Sequence, residues 1–280
     1  MTFSIVARSA DGLSLGVAVA SKFLAVGAAV PAAAALVGAV ATQAYANLAY
    51  RPDGLALLRQ GRSARQTVDD LTAADALREQ RQLGVVAATG PGVSFTGSEC
   101  FGWAGGVSGD GYAIQGNILV GPQVVSAMQD AYLAADPTAA LAATLVATLA
   151  AGDRAGGDRR GRQSAAVLVV SPGGGYGGSS DVLVDLRVDD HTDPVPALAR
   201  LLDLHDLYFG RPDPSDCLEL SGPLAEQVAA LLAARGHTGS DLERALADWA
   251  SVENLEERLV PGRIDPRVLA ALSAPPAAAP

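Results

Sequence analysis

The chain holds 20 lysines and arginines, and Lys22 is the sole lysine among them. Arginine stays protonated at any workable pH, whereas a lysine can lose its proton when buried and act as a compact charge beside a nucleophile. Lys22 follows the apolar run Leu15-Gly-Val-Ala-Val-Ala20, which predicts a strand end deep in a domain; a solvated surface lysine is the alternative. Cys100 and Cys217 are isolated, which excludes a disulfide framework and a CxxC-type zinc site. Cys100 is a rival nucleophile, but no cysteine-hydrolase signature surrounds it, and a buried hydrophobic role is expected. The three histidines, His191, His205 and His237, are far apart. Asp189, Asp190 and His191 are metal-ligand types, yet successive strand residues point to opposite faces, so loop capping is expected rather than a metal site. Arg159, Arg160 and Arg162 offer forks that match a carboxylate on a substrate, or they pair with Asp153 and Asp158 in a solvated loop.

The elements that must position these residues alternate between strands and helices. Residues 3–8 and 13–20 flank Asp11-Gly12, a hairpin signal, and residues 37–44 predict a further buried strand. Pro52 starts a helix that Gly61 stops, and Ser63-Ala-Arg-Gln66 reads as a capping box for the next. Strands are predicted at 83–89, 93–97 and 112–119, then a helix from Gly121-Pro122 to about Ala134 and another from Pro137 ending before Gly152. Residues 165–170 and 182–188 form a strand pair across Pro172-Gly-Gly-Gly-Tyr-Gly-Gly178, a glycine run with neither the lysine nor the following helix of a phosphate cradle. Asp193-Pro194 caps a helix carrying Leu198, Leu201, Leu202 and Leu204. This order predicts an α+β architecture of two packed sheets with helices outside both.

With 280 residues at 49% hydrophobic, the chain can bury a large core, and aromatics at 5% leave that core to Ala, Val and Leu. A net charge of −10 argues against a nucleic-acid partner. No secretory pattern opens the sequence, so a cytoplasmic enzyme is expected. Residues 23–41 are uncharged and long enough to suggest a membrane span, but Gly27, Pro31 and Gly38 interrupt them, and buried strand and loop is the expectation. Alanine-rich helix faces are natural packing surfaces for a homo-oligomer.

Six blocks in order carry a family resemblance: Thr2-Phe-Ser-Ile-Val-Ala-Arg8, Gly16-Val-Ala-Val-Ala-Ser-Lys-Phe23, Gly38-Ala-Val-Ala-Thr-Gln-Ala44, Gln115-Gly-Asn117, Gly156-Gly-Asp-Arg-Arg-Gly-Arg-Gln-Ser164 and Asp185-Leu-Arg-Val-Asp-Asp-His191. Together they resemble the DUF1028 family, which is grouped with the N-terminal nucleophile (Ntn) hydrolases. The resemblance implies a four-layer αββα sandwich over residues 1–210. It also implies that Thr2, exposed by loss of Met1, attacks a carbonyl while its own α-amine takes the hydroxyl proton. The amine's ordinary pKa of about 7.7–8.0 suits that task at neutral pH. Lys22 would then lower the amine's pKa and favour the developing alkoxide. Asn117 is an oxyanion-donor candidate beside the close backbone of Gly116, with a turn asparagine as the competitor. By analogy with proteasome-like members, Asp158 and Ser164 would hold the terminal amine, although the spacing here is wider. The motif positions Gln43, Gln115, Arg160 and Gln163 are expected to contact the substrate.

After Gly210 the character changes. Arg211-Pro-Asp-Pro-Ser215 reads as a linker, and residues 211–280 predict a small helical domain: one helix ending near Gly236, a second opened by Ser240-Asp-Leu-Glu243, and a third started by Asp265-Pro266 before a disordered-looking Ala-Pro tail. This segment resembles a peptidoglycan-binding domain; a helical cap over the substrate entrance or a subunit interface is the alternative.

The functional expectation is hydrolysis of an amide-type C–N bond in a small molecule, with no cofactor and no metal. The alternatives are a catalytically silent protein that binds a metabolite or partner, and a hydrolase of a cyclic amide or imine.

Overall fold

The computed structural model describes residues 2–239 and 241–275. The chain runs β1 (Thr2–Arg8), β2 (Leu15–Ser21), α1 (Val26–Ala29), β3 (Pro31–Ala34), β4 (Gly38–Ala44), α2 (Tyr50–Arg59), α3 (Ala64–Ala73), β5 (Arg81–Ala87), β6 (Val93–Thr96), β7 (Trp103–Gly109), β8 (Tyr112–Leu119), α4 (Gln123–Leu133), α5 (Leu141–Arg154), β9 (Ser164–Val170), β10 (Val182–Val188) and α6 (Pro194–Phe209). Two antiparallel sheets result, with orders β10-β9-β2-β1-β8-β7 and β3-β4-β5-β6.

Alternation along the strands sorts residues into layers. Phe3, Ile5 and Ala7 of β1 join Leu145 and Leu149 of α5 and Met128 of α4 in one core. The opposite face contributes Val6, Val17 and Val19, which meet Ala39, Ala41 and Val86 of the smaller sheet. On the far side of that sheet, Val40, Leu83 and Val85 pack on Leu55 and Leu58 of α2 and Val68 and Leu71 of α3. The order is therefore helix, sheet, sheet, helix. Burial on both faces explains why Leu15 to Ala20 of β2 and Leu83 to Ala87 of β5 read as near-continuous apolar runs. Each fully buried Leu, Ile or Val contributes about 1.5–3 kcal/mol relative to exposure.

The structure departs from the sequence expectation at β7 and at both ends of α5, for physical reasons. β7 was unexpected: it is an edge strand containing Gly105, Gly106 and Gly109, and glycine lacks the branched side chains by which strands are recognised. α5 starts at Leu141 because Asp136 accepts from the Thr138 N–H and holds residues 136–138 in a turn. It also runs through Gly152 to Arg154. A Cβ at Gly152 would stand 2.7 Å from Met128 Cγ and 3.3 Å from Phe3 Cδ2, so this glycine serves packing rather than termination. The Ser63–Gln66 capping box is present with both reciprocal bonds. Residues 23–41 form the short helix α1, β3 and the start of β4, and no helix of the described residues is long and apolar enough to cross a membrane.

Contacts divide the chain into Met1–Leu202 and Asp203–Pro280, ahead of the boundary expected at 210. The second unit contains β11 (Leu218–Glu219), α7 (Gly222–Ala233), α8 (Leu242–Val252), β12 (Arg263–Ile264) and α9 (Pro266–Ser273) around Val228, Leu232, Leu246, Trp249 and Leu272. Arg258, 5% exposed, donates to Asp265 Oδ2 at 2.5 Å and to the carbonyls of Asp206 and Leu207. Both carbonyls lie in the last turn of α6, where that of Asp206 also accepts from the Gly210 N–H. The expected cap Ser240 and the tail at 276–280 lie outside the described residues; Asp241 caps α8 by accepting from the Arg244 N–H.

Candidate active site

Thr2 opens β1, the strand flanked by β2 and β8 in the middle of the larger sheet. The β1–β2 register pairs Thr2 with Ser21, and the β1–β8 register pairs it with Asn117. Alternation places Thr2 on the same side as Ser4 and Val6, facing the smaller sheet. Thr2 is 6% exposed, and its Oγ1 lies 3.1 Å from Ser21 Oγ.

A lattice of buried neutral polar groups surrounds the Thr2 backbone. Its carbonyl accepts from Gln43 Nε2 at 3.3 Å and from Asn117 Nδ2 at 3.4 Å. Both amides also donate to Gln82 Oε1, at 2.8 and 3.0 Å. Gln82 in turn donates to the Gly116 carbonyl and to Thr96 Oγ1. Ser4 Oγ donates to Gln43 Oε1 and accepts from Gln115 Nε2, each at 2.7 Å. An unmade bond in such an interior costs about 1–3 kcal/mol, so these bonds fix the relation of the two sheets and hold Thr2 in place. Asn117 is therefore turned toward the Thr2 carbonyl and Gln82, away from the expected oxyanion role. Gln43 and Gln115 are lattice members buried between the sheets, which departs from the expectation of substrate contact.

Gly84 leaves room for this lattice. A Cβ there would stand 2.4 Å from Gln115 Oε1 and 2.5 Å from Nε2. We expect Gly84→Ala to push the Gln115 amide off Ser4 and to lower stability by about 1–3 kcal/mol, readable as a lower urea midpoint at unchanged slope.

Lys22 corrects the expectation of a buried ammonium. It is exposed just beyond β2, and its backbone N–H, rather than its side chain, makes the inward bond, to Asp158 Oδ2 at 2.8 Å. Asp158 is buried, accepts from the Arg160 N–H at 2.8 Å and meets Arg160 Nη2 at 3.4 Å. Ser164 pairs with Ser21 across β2 and β9, but its hydroxyl donates to the Phe23 carbonyl and accepts from the Val26 N–H. It thus shapes the turn after Lys22. Gln163 donates from its side chain to Asp190 and from its backbone to the Ser21 carbonyl. Arg162 is tied to Asp153 and Asp193. A cleft of about 320 Å³ opens beside this group, lined by Phe3, Ala20, Ser21, Asp158 and Arg162.

The other candidates stand apart. Burial pushes the Cys100 thiol up, away from the thiolate, and Sγ donates to the Arg81 carbonyl. His191 Nδ1 accepts from the Asp193 N–H, as loop capping requires.

Ser21, Ser4 and Gln82 escaped the sequence reading. For Ser21 the signal was present: a hairpin centred on Asp11-Gly12 counts Thr2 directly opposite Ser21. Gln82 was lost because the strand was expected to begin at Leu83 instead of Arg81.

Two antiparallel sheets packed between helix layers, with a first-strand threonine beside a buried amide lattice, define a layered αββα protein. The chain belongs to the DUF1028 family, described as a family of unknown function, which matches residues 2–198. Residues 208–272 match a family described as a peptidoglycan binding domain. The crystal structure of a DUF1028 protein from Silicibacter pomeroyi is similar at 30% identity and a TM-score of 0.65, covering 81% of this chain and 92% of that one. Comparison with curated proteins gives no match.

Proposed function

We propose that the protein is an Ntn-type hydrolase of a C–N bond in a small molecule met in the cytoplasm, with Thr2 as nucleophile. The observation that carries this is the Thr2 environment: a hydroxyl 3.1 Å from Ser21 Oγ on a backbone whose carbonyl two amides grip. Scission of the Met1–Thr2 bond frees the α-amine. Thr2 Oγ1 then attacks the substrate carbonyl and its proton passes to the amine, with Ser21 holding the hydroxyl. The substrate C–N bond breaks, the leaving amine takes that proton, and water hydrolyses the ester to restore Thr2.

Intact mass comes first, then incubation with a β-lactone. Loss of Met1 followed by a single adduct on Thr2 is the expected result. Protein that keeps Met1, or that loses it and never forms an adduct, belongs to the metabolite-binding alternative. The match of residues 208–272 supports a second activity, retention on a glycan polymer, which cosedimentation with peptidoglycan would reveal.

A further inference from the structure

β10 is the outer strand of the larger sheet, paired with β9 on one side only. Its ladder shows which backbone groups are left over. The Ser171 N–H donates to the Asp181 carbonyl, so Ser171 turns its backbone groups toward β10, and alternation makes Val169, Val167 and Ala165 do the same. Their partners are Val184, Leu186 and Val188. Asp185 and Arg187 therefore turn N–H and C=O outward, and among the described residues no backbone group meets them there. The side chains of Val184, Leu186 and Val188 face the core that α6 covers with Val195 and Leu198. Those of Asp185 and Arg187 lie on the other face, 37% and 40% exposed, and pair with each other at 2.9 Å. An unpaired edge is a template for another strand unless something blunts it. β7 is blunted by a bulge and glycines, and β3 opens on Pro31, which has no N–H. The β10 bulge lies before Val184, and pairing is regular from Val184 to Val188.

We infer that β10 binds β10 of a second copy, antiparallel about a two-fold axis at Leu186, so that one sheet runs through both chains. Symmetry and charge choose this register. Outward-turned residues must face one another, and like charges directly opposite are unfavourable. An axis at Asp185 sets two carboxylates face to face, and one at Arg187 sets two guanidiniums. Displacement toward residue 189 meets a carbonyl already taken by the Ala25 N–H, and displacement toward residue 183 meets the bulge. With the axis at Leu186, each Asp185 lies opposite Arg187 of the other copy, and each such pair exchanges both backbone bonds. On the α6 side Val184 lies opposite Val188, beside a groove of about 460 Å³ lined in part by Val188, Pro196, Ala197 and Leu201. Each chain carries a net charge of −10, which opposes self-association at long range, so these local pairs decide the register. The expected oligomer contact thus moves from the alanine-rich helix faces to a strand edge.

Sedimentation velocity of the full-length chain over a concentration series, in about 0.15 M salt, tests this. Wild-type protein should sediment as a dimer at about 100 μM, the range in which modest interfaces form. Asp185→Arg sets like charges opposite one another in this register and should weaken the dimer about tenfold or more. The double exchange Asp185→Arg/Arg187→Asp restores opposite charges across the axis and should restore the dimer. Melting by circular dichroism checks that each variant is folded. Leu186→Cys tests the axis itself, because facing Cα atoms at such a position stand about 4.5 Å apart. Diamide takes two electrons and two protons from the paired thiols, and a disulfide should join the two chains. Wild-type protein, whose Cys100 and Cys217 lie elsewhere, should stay unlinked under the same treatment. Wild-type protein that is monomeric at every concentration overturns the inference. A dimer that Asp185→Arg does not weaken, or that Leu186→Cys does not cross-link, overturns the assignment to β10. Thr2 enters neither readout, so either failure leaves the proposed function standing.

Discussion

Thr2→Ala protein should gain no mass from the β-lactone, and turnover of any C–N substrate should fall by about 10³-fold or more, as removal of a nucleophile does elsewhere. The substitution deletes Oγ1 and leaves the strand register and both bonds to the Thr2 carbonyl in place. The melting temperature should therefore change little, which separates lost chemistry from lost fold. Thr2→Ser restores a hydroxyl and should restore the adduct. Retained turnover in Thr2→Ala would remove Thr2 from the mechanism.

The other large effect is expected at Asp75, in the loop that follows α3. Its carboxylate accepts from Arg81 Nε at 2.8 Å, Tyr50 Oη at 2.9 Å, Asn47 Nδ2 at 3.1 Å and the Leu77 N–H at 2.8 Å. Arg81 is buried, donates to the Tyr45 carbonyl and lies over the Tyr45 ring. Asp75→Ala strands that guanidinium, and stability should drop by about 3 kcal/mol. The Arg81 hydrogen bond, followed by those from Leu77, Asn47 and Tyr50, holds the Asp75 carboxyl well below the usual carboxylate range. A carboxyl whose folded pKa is depressed contributes stability above its unfolded value of about 3.9 and loses it as pH falls through the folded one. Melting temperature should therefore fall below about pH 4 in the wild type, and Asp75→Asn should flatten that part of the profile. Tyr50 moves oppositely, its phenol raised by burial and by the Asp75 charge.

Local signals in the sequence made most of the fold legible. The Asp11-Gly12 turn, the Ser63 capping box and the apolar runs on either side of the glycine-rich tip correspond to observed elements. β7 was hidden because its glycines carry no pattern, and the start of α5 because a proline can open a turn as readily as a helix. At the candidate site, sequence reasoning reached Thr2, Asn117, Asp158 and Ser164, and the structure gathers all four near one end of the larger sheet, with Thr2, Asn117 and Ser164 in register across it. What those groups bond to was not legible. Asn117 grips the Thr2 carbonyl and Ser164 shapes a turn, since both depend on contacts between distant segments. Lys22 misled for a related reason: a strand that is apolar to its last turn says nothing about the residue just past its end.

The lattice between the sheets contains hydroxyls and primary amides and no group that ionises between pH 3 and 10. Ser4, Gln43, Gln82, Gln115 and Asn117 keep the same charge throughout that range. The cradle holding Thr2 is thus silent to acid and base, and from about pH 5 to 9 any titration in the rate of Thr2 acylation reports the reacting groups themselves and not a change in how they are held.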